Sequence, residues 1–275
     1  MTFETLTLTT EGPIAAVALN RPNKLNAMNG TMFREIGEAF RLIDDNSSIR
    51  ATILSANGKH FTAGLDLKES ADLLNLGDGD PARIREKLRR HILGLQDCFT
   101  AIEDCRTPVI AVTHGLCLGG GIDLIAACDM RIATADTNFA IQEVNVAIVA
   151  DLGTLHRAPY LLPHGILKEL ALTGRYFPAE EASKYGFVNS IEADKESAVA
   201  AAQQMANEIA SKSPLAVSGT KAILNHARDH TIKDGLDYVA TWNSGQLLGE
   251  DLMKAGAAIL TRQTAEFADL METDD

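Results

Sequence analysis

Three acidic residues lie in a mostly apolar stretch of this sequence, soon after the glycine run of HGLCLGGGIDL. They are Asp123, Glu143 and Asp151, spaced 20 and 8 residues apart. Removing a charged carboxylate from water is costly unless it is paired, so these residues need a reason to be there. One reason is chemistry, because a low-dielectric pocket and close like charges keep one carboxyl protonated near neutral pH. The three acids are therefore candidates for moving protons.

Each acid also has a structural interpretation, and the sequence leaves both interpretations open. Asp123 lies on the first turn of the helix predicted after the glycines, where an acid complements the helix dipole. Glu143 fits a loop or an edge of the fold. Asp151 is followed by Leu-Gly-Thr and fits the N-cap of a helix. A cap and a proton donor are compatible roles for one side chain.

The glycine run and an earlier turn have the features of a site that holds a carbonyl oxygen. HGLCLGGGIDL follows a predicted strand and opens a helix, whose first N–H groups lack partners and favour negative charge. Its spacing matches neither common phosphate-binding glycine motif. The alternative is an oxyanion hole for a developing enolate, which needs a second donor. The segment GKHFTAGLDL, with small residues at Ala63 and Gly64, supplies a candidate, although either segment alone also fits a tight strand-to-helix turn.

The elements that must position these residues alternate between strand and helix. Strands are predicted over 3–9, 14–19 and 51–56, and again at PVIAVTHG and MRIAT. Helices are predicted at MFREIGEAFRLI, at GGIDLIAAC and over a long segment that Pro81 opens. This alternation indicates an α/β fold with mainly parallel strands. Every segment after about residue 195 is predicted helical, through EDLMKAGAAILTRQTAEF, so we predict a core over 1–195 and a helical region over 196–275.

Composition limits the class of protein. Hydrophobic residues make up 46% and charged residues 23% of the chain, as in ordinary globular proteins. The formal net charge of -12 argues against nucleic acid as a partner, because no basic excess is available for phosphates. Four cysteines in apolar stretches, none spaced as C-x-x-C, indicate buried thiols in a reducing compartment. The sequence shows neither a signal peptide nor a membrane-spanning run, so we expect a cytoplasmic protein.

Three motifs, taken in order, resemble the crotonase superfamily, also called the enoyl-CoA hydratase/isomerase family. They are NRPNKLNAMN, KHFTAGLDL and HGLCLGGGIDLIAACDMRIAT, and the likeness covers most of the chain. The resemblance implies a spiral of ββα units with a C-terminal all-helical oligomerisation region that forms homotrimers or homohexamers. It also implies an acyl-CoA substrate, with no metal and no cofactor beyond that CoA. The implied contacts are Leu65 and Gly120 as oxyanion-hole donors, Lys24, Leu25 and Ala27 beside the CoA nucleotide, and Ala63 and Gly121 as further substrate contacts.

The acids distinguish between reactions within this family. Typical 2-enoyl-CoA hydratases carry glutamates where this chain has Asp123 and Glu143, and a glycine where it has Asp151. The pattern here resembles the Δ3,5-Δ2,4-dienoyl-CoA isomerases, whose two aspartates and one glutamate have the same spacing. That resemblance implies that Glu143 takes a proton from C2, Asp151 gives one to C6 and Asp123 positions the substrate or tunes the pair. The implied setting is the β-oxidation of unsaturated fatty acids.

Other interpretations stay open at this point. A 2-enoyl-CoA hydratase would use the two acids at the hydratase positions and would not need Asp151. A Δ3-Δ2-enoyl-CoA isomerase needs one base and leaves the other acids unexplained. A crotonase-like scaffold or an RNA-binding member is opposed by the three acids and by the net charge of -12. Residues 68–80 are a candidate lid, and Lys221 is either a phosphate contact or a surface lysine.

Overall fold

The computed structural model describes residues 2–69 and 79–272. Most of the candidate lid, residues 70–78, lies outside the described residues. The strands are β1 (Leu6–Glu11), β2 (Ile14–Leu19), β3 (Ala51–Ala56), β4 (Val109–Thr113), β5 (Leu116–Leu118), β6 (Met130–Thr134), β7 (Asn138–Ala140), β8 (Phe177–Pro178) and β9 (Ser190–Glu192).

The main sheet has six strands in the order β1-β2-β3-β4-β6-β9. Strands β1 and β2 form an antiparallel hairpin, and every later neighbour in this sheet pairs in parallel. The predicted α/β class with mainly parallel strands is therefore confirmed. A smaller sheet, β5-β7-β8, lies beside it and was not predicted, because strands of two or three residues are too short to show a period.

Among the described residues, six helices lie in the connections between these strands and four follow β9. They are α1 (Gly30–Asp45), α2 (Pro81–Asp104), α3 (Gly120–Ala126), α4 (Thr154–Arg157), α5 (His164–Thr173), α6 (Ala179–Lys184), α7 (Lys195–Ala210), α8 (Pro214–His226), α9 (Ile232–Gln246) and α10 (Glu250–Thr261). The predicted helices at MFREIGEAFRLI, at GGIDLIAAC and after Pro81 match α1, α3 and α2 within a few residues.

One layer of the core lies between the sheet and helices α1 and α2. The Asn29 side chain accepts the Met32 N–H and so caps α1 at its start. The apolar face of α1 is fully buried, and the ring of its Phe33 packs 5.3 Å from the ring of Phe99 on α2. In α2 only Phe99 and Ile102 are fully buried, so the long helix extends beyond the body at its N-terminal half.

The opposite face of the sheet is covered by α7. Four alanines at a spacing of four residues, from Ala198 to Ala210, form the buried stripe of this helix. They pack on side chains of the central strands that include Ile53, Ile110 and Ile132. Small side chains let the helix approach the sheet closely, so α7 forms a layer of the body. The proposed division at residue 195, and an oligomerisation role for 196–275, stay predictions.

Helices α9 and α10, which we call the terminal helices, contain no fully buried residue. Their exposed apolar side chains include Ile232, Leu236, Leu252, Met253, Ile259 and Leu260. The prediction that the last helix runs through residue 267 is wrong, because α10 ends at Thr261. Arg50 binds the segment that follows: its guanidinium donates to the Phe267 carbonyl at 2.6 Å and pairs with Asp269 at 2.7 Å.

Lys221 ties α8 to the body. Its side chain is only 7% exposed, and Nζ donates to the carbonyls of Ile102 and Thr107 and to the Asp129 carboxylate at 2.8 Å. The interpretation as a surface lysine is therefore wrong, and the interpretation as a phosphate contact stays a prediction. The sequence could not show this, because the three acceptors come from distant segments.

All four cysteines are free thiols, and all except the half-buried Cys98 are buried. No helix in the described ranges is long and apolar enough to span a membrane.

Candidate active site

A cavity of about 130 Å³ lies where the glycine run, the GKHFTAGLDL loop and residues 142–152 meet. All three predicted acids line it, and so do the predicted donors Leu65 and Gly120 and the neighbouring Ala63. The other walls are largely apolar and are formed by Phe33, Leu67, Val146, Ile148, Val149 and Leu152. The cavity thus combines proton-transfer groups with a surface suited to a hydrocarbon chain.

A larger cavity of about 950 Å³ lies beside α7 and α8. Two of the carboxylates in its wall are engaged in ion pairs, Asp129 with Lys221 and Glu103 with Arg157. A paired carboxylate is held ionised and is a poor proton donor. We therefore assign the chemistry to the smaller cavity.

Two backbone N–H groups are available at the wall of this smaller cavity. In the described part of the chain, neither the Leu65 N–H nor the Gly120 N–H donates to a protein acceptor. The residues flanking Leu65 are paired instead, because Gly64 accepts from Met28 and Asp66 donates to Met28. Gly120 is the first residue of α3, where an N–H has no acceptor within its helix. Ala63 differs, since its N–H donates to the Leu25 carbonyl at 3.0 Å.

Two glycines allow the loops to approach this closely. Gly64 has a φ of +87°, and a Cβ on it would lie 2.8 Å from the Leu118 carbonyl oxygen. Gly119 has a φ of +52°, and a Cβ there would lie 3.3 Å from Oε1 of Glu143. Both positions require glycine, for backbone conformation and for space. The glycine-rich composition of the two turns therefore brings the N–H groups and the acids together.

Asp123 lies at the bottom of the cavity and is 1% exposed. Its Oδ1 accepts the Thr154 N–H at 2.6 Å. Burial raises the pKa of the Asp123 carboxyl to about 6, although the Thr154 N–H opposes the shift. Asp123 therefore stabilises the N-terminus of α4, through Thr154, as well as the N-terminus of its own helix, α3.

Glu143 begins a 3₁₀ turn, Glu143–Val146, that forms one side of the cavity. Its Oε2 is buried and has no hydrogen-bond partner among the described residues. Burial, and then the charge of Asp123, raise the pKa of Glu143 to about 7. A carboxylate with one buried, unpaired oxygen and a pKa near neutral has the properties of a general base.

Asp151 lies at the rim of the cavity, and as a whole residue it is exposed. Partial burial of its carboxyl still raises the pKa above the ordinary aspartate value. The prediction that Asp151 caps a helix is wrong, because the N-cap of α4 is Gly153 and the carboxylate that receives an α4 N–H is that of Asp123. The Asp151 carboxyl therefore has no capping contact to hold it.

The segment expected to meet the CoA nucleotide, Lys24, Leu25 and Ala27, lies outside this cavity but is joined to it. Lys24 and Leu25 are exposed, Ala27 is half-buried, and the Leu25 carbonyl accepts the Ala63 N–H. Gly121, in the first turn of α3, is buried beside Thr62 and Cys117. It does not line the cavity itself, but its neighbour Gly120 does.

The sequence analysis missed Asn26, the residue that holds this segment. Asn26 is fully buried with a φ of +52°, and Nδ2 donates to the carbonyls of Asn57 and His60 at 2.7 and 2.9 Å. Its Oδ1 accepts the Arg21 N–H at 2.8 Å. An asparagine between Leu25 and Ala27 was the one visible signal, since asparagine tolerates the left-handed region better than most residues.

Comparison with known proteins agrees with this geometry. The family model for Enoyl-CoA hydratase/isomerase matches residues 9–259. A protein of Arabidopsis thaliana named peroxisomal Δ3,5-Δ2,4-dienoyl-CoA isomerase is 43% identical, over 98% of this chain and 98% of its own. The human protein named mitochondrial Δ3,5-Δ2,4-dienoyl-CoA isomerase is 44% identical, over 92% of this chain and 78% of its own.

Among solved structures, an enoyl-CoA hydratase from Bacillus anthracis superposes with a TM-score of 0.87 at 27% identity, over 96% of this chain and 99% of its own. The predicted crotonase-like fold and the resemblance to dienoyl-CoA isomerases are both confirmed. The chain belongs to the enoyl-CoA hydratase/isomerase family.

Proposed function

We propose that this protein is a Δ3,5-Δ2,4-dienoyl-CoA isomerase of unsaturated fatty acid β-oxidation. The observation that carries the proposal is the meeting of three carboxylates in one cavity beside two unpaired backbone N–H groups. The relatives named as isomerases of this type support the same assignment. A reaction that moves a proton between two distant carbons needs a base and an acid, and the cavity offers both.

The thioester carbonyl is bound by the N–H groups of Leu65 and Gly120. As the C2 proton leaves, negative charge develops on the carbonyl oxygen, and the two donors stabilise it. Removing one such donor costs on the order of 10²–10³ in rate. The free N–H of each residue supports this role, and the glycines at 64 and 119 keep the two donors close enough to act together.

Glu143 is the base that takes the proton from C2, and Asp151 is the acid that gives a proton to C6. The unpartnered Oε2 of Glu143 supports the first role, and the position of Asp151 at the far rim supports the second. Asp123 tunes the pair: its charge raises the pKa of Glu143, and its bond to Thr154 holds the turn that carries Asp151. Because the acids interact, they titrate as a unit.

The CoA nucleotide lies along Lys24, Leu25 and Ala27, and the reaction uses no cofactor beyond the CoA of the substrate. The protein forms a homotrimer or homohexamer, and the exposed apolar side chains of the terminal helices support this. The expected cytoplasmic location stays a prediction, since the names of the relatives put those proteins in peroxisomes and mitochondria.

The alternative function is 2-enoyl-CoA hydration. It is favoured by the presence of Asp123 and Glu143 at the two hydratase positions and by the superposition on a protein named as a hydratase. Hydration gives Asp151 no catalytic role, because typical 2-enoyl-CoA hydratases carry glycine at that position. The two functions therefore differ in their need for Asp151.

A paired assay separates the two functions. Purified protein is given a 3,5-dienoyl-CoA and a 2-enoyl-CoA, and both reactions are followed by ultraviolet absorbance. We expect rapid formation of the conjugated 2,4-dienoyl product, lost in Asp151→Gly and Asp151→Asn but kept in Asp237→Asn, an exposed aspartate on α9. Fast hydration of the 2-enoyl-CoA, no conversion of the dienoyl-CoA and indifference to Asp151 would establish the hydratase instead.

A further inference from the structure

Asp151 lies between two cavities, and the proposed reaction so far uses only one of them. A second cavity of about 560 Å³ lies behind the turn that carries Asp151, and we call it the outer cavity. Asp151 and Leu152 line both the outer cavity and the substrate cavity. Polar side chains from α2, α4 and α8 line the outer cavity, among them Gln96, Thr100, His156, Arg157, Asn225 and Arg228. Asp151 is thus placed between the substrate cavity and a second, polar cavity that can hold water.

Most charged groups of the outer cavity pair with one another. Glu103 forms ion pairs with Arg157, at 2.8 Å, and with Arg228. Burial alone would raise the pKa of Glu103, but the two arginines outweigh it and lower the pKa, so this carboxylate stays ionised. Asp229 pairs with His230 at 2.6 Å. Among the described residues of this wall, three titratable groups remain without an ion pair: Asp151, the exposed His156, and Tyr160, whose hydroxyl donates to the Arg228 carbonyl.

The turn between the two cavities is held from the outer side. The Gln96 side chain donates to the Asp151 carbonyl at 2.5 Å, and Arg157 donates to the Leu152 carbonyl at 3.3 Å. These two contacts are made to backbone carbonyls, so neither occupies the Asp151 carboxyl. That carboxyl is only partly buried, so it can exchange a proton with water.

Glu143 is poorly placed to return its proton to Asp151. No hydrogen bond joins the two carboxyls in the described ranges, and Glu143 Oε2 is buried without a partner there. The charge of Asp123 raises the pKa of Glu143 more than the charge of Asp151 does. The substrate cavity measures about 130 Å³, so a bound dienoyl group leaves little space for a relaying water. We therefore expect no direct transfer between the two acids while substrate is bound.

We propose that the proton given to C6 enters from solvent through the outer cavity by way of Asp151, and is not the proton removed from C2. This inference rests on the proposed isomerase function. In each turnover the C2–H bond breaks and its proton goes to Glu143, the electron pair moves along the diene, and a C6–H bond forms with the proton of Asp151. Asp151 then takes a proton from water in the outer cavity, and Glu143 releases its own to water after product leaves, so the protons balance.

An isotope experiment tests the origin of the C6 proton. A 3,5-dienoyl-CoA carrying two deuterium atoms at C2 is converted in ordinary water, and unlabelled substrate is converted in D₂O. Product from the first turnovers is analysed by mass spectrometry and NMR, and recovered substrate is checked for exchange at C2. We expect hydrogen at C6 in the first case and deuterium at C6 in the second. Deuterium carried from C2 to C6 in ordinary water would overturn the inference while leaving the isomerase function intact, and absence of product would overturn both.

A variant distinguishes the outer cavity from the mouth of the substrate cavity as the route. His156→Phe puts an apolar ring into the outer cavity wall, and His164→Phe, at an exposed histidine on α5 that does not line this cavity, is the matched control. We expect His156→Phe to lower the steady-state kcat about tenfold with KM unchanged, less than the ~10²–10⁴-fold loss of an acid–base group itself. The first turnover, from enzyme with Asp151 already protonated, should keep its rate and appear as a burst. Equal behaviour of the two variants would show that protons enter from the substrate side and would overturn the inference.

Discussion

The body built on the six-stranded sheet and the two terminal helices differ in how far their apolar side chains are buried. In the body, α1 buries its apolar face and α7 buries a stripe of alanines against the sheet. In the terminal helices, Ile259 is 77% and Leu260 87% exposed. A helix whose apolar face lacks a partner within its own chain gains little stability from that face.

This difference suggests a division of tasks. Each predicted catalytic group belongs to the body, and its neighbours in the described structure also come from the body. The terminal helices carry none of these groups and have the features of a surface that contacts another copy of the chain. Changes in the body should therefore alter rate, and changes on the terminal helices should alter assembly.

The largest effect is expected at Glu143. Glu143→Gln keeps the size of the side chain but removes the base, so kcat for the dienoyl substrate should fall about 10⁴-fold, the upper end for an acid–base group. Absorbance assays measure the rate, and size-exclusion chromatography should show an unchanged mass. Glu250→Gln, at an exposed acid on α10, is the control and should behave as the unmodified protein. Activity within tenfold of normal in Glu143→Gln would show that another group is the base.

Lys221 lies at the joint between the two regions, and its loss should act on stability. Lys221→Met keeps the length of the side chain but leaves the Asp129 carboxylate without its buried cation and two carbonyls without a donor. Removing one partner of a buried pair should lower the free energy of unfolding by about 3 kcal/mol. Denaturant unfolding measures this, with the exposed Lys212→Met as control. A loss no larger than that of the control would mean that α8 is held by its apolar contacts.

A pair of substitutions on α10 tests the assembly role. Ile259→Lys combined with Leu260→Lys places charges on the exposed apolar face, and light scattering should show a smaller particle. The kcat of the body should change little, because the substituted residues lie outside the cavity that holds the acids. Leu172→Lys, at a leucine of the body that is 75% exposed, is the control. A large loss of kcat with unchanged mass would contradict the division of tasks.

The smallest effect is expected from Asp123→Asn. The amide oxygen can still accept the Thr154 N–H, but the negative charge that raises the pKa of Glu143 is gone. The pKa of Glu143 should therefore fall from about 7, and the acid limb of the kcat/KM profile should move to lower pH. Glu143 must be ionised to act as base, which fixes the sign of this shift. An unmoved limb would show that the limb reports a different group.

The sequence allowed a good prediction of the elements and of the set of acids. Long periodic segments such as α1 have a local signal, because the face that must be buried repeats along the helix. Motifs at Leu65 and Gly120 were visible because close backbone approach demands glycine nearby. The C-terminal segment after Thr261 was predicted wrongly, since Arg262 takes a left-handed conformation with a φ of +56° and ends α10 there.

The roles that depend on distant partners were not predictable. Asn26 matters because it reaches the carbonyls of Asn57 and His60, 31 and 34 residues away. Asp151 looks like a cap in sequence, but Asp123, 31 residues from Thr154, supplies that bond. Local pattern indicates which residue types are present, whereas the pairing of polar groups is decided by the tertiary fold.

The contact between Arg50 and the segment after α10 has a consequence for biosynthesis. Arg50 and Asp269 are 219 residues apart. Arg50 directly precedes β3, which lies at the centre of the sheet. During synthesis the strands of the sheet leave the ribosome well before the partners of this guanidinium after α10. Until those partners are made, the Ala210 carbonyl is the side-chain acceptor that Arg50 retains. The contact with Phe267 and Asp269 therefore forms after the sheet strands have been made, and it joins the centre of the sheet to a segment synthesised more than 200 residues later.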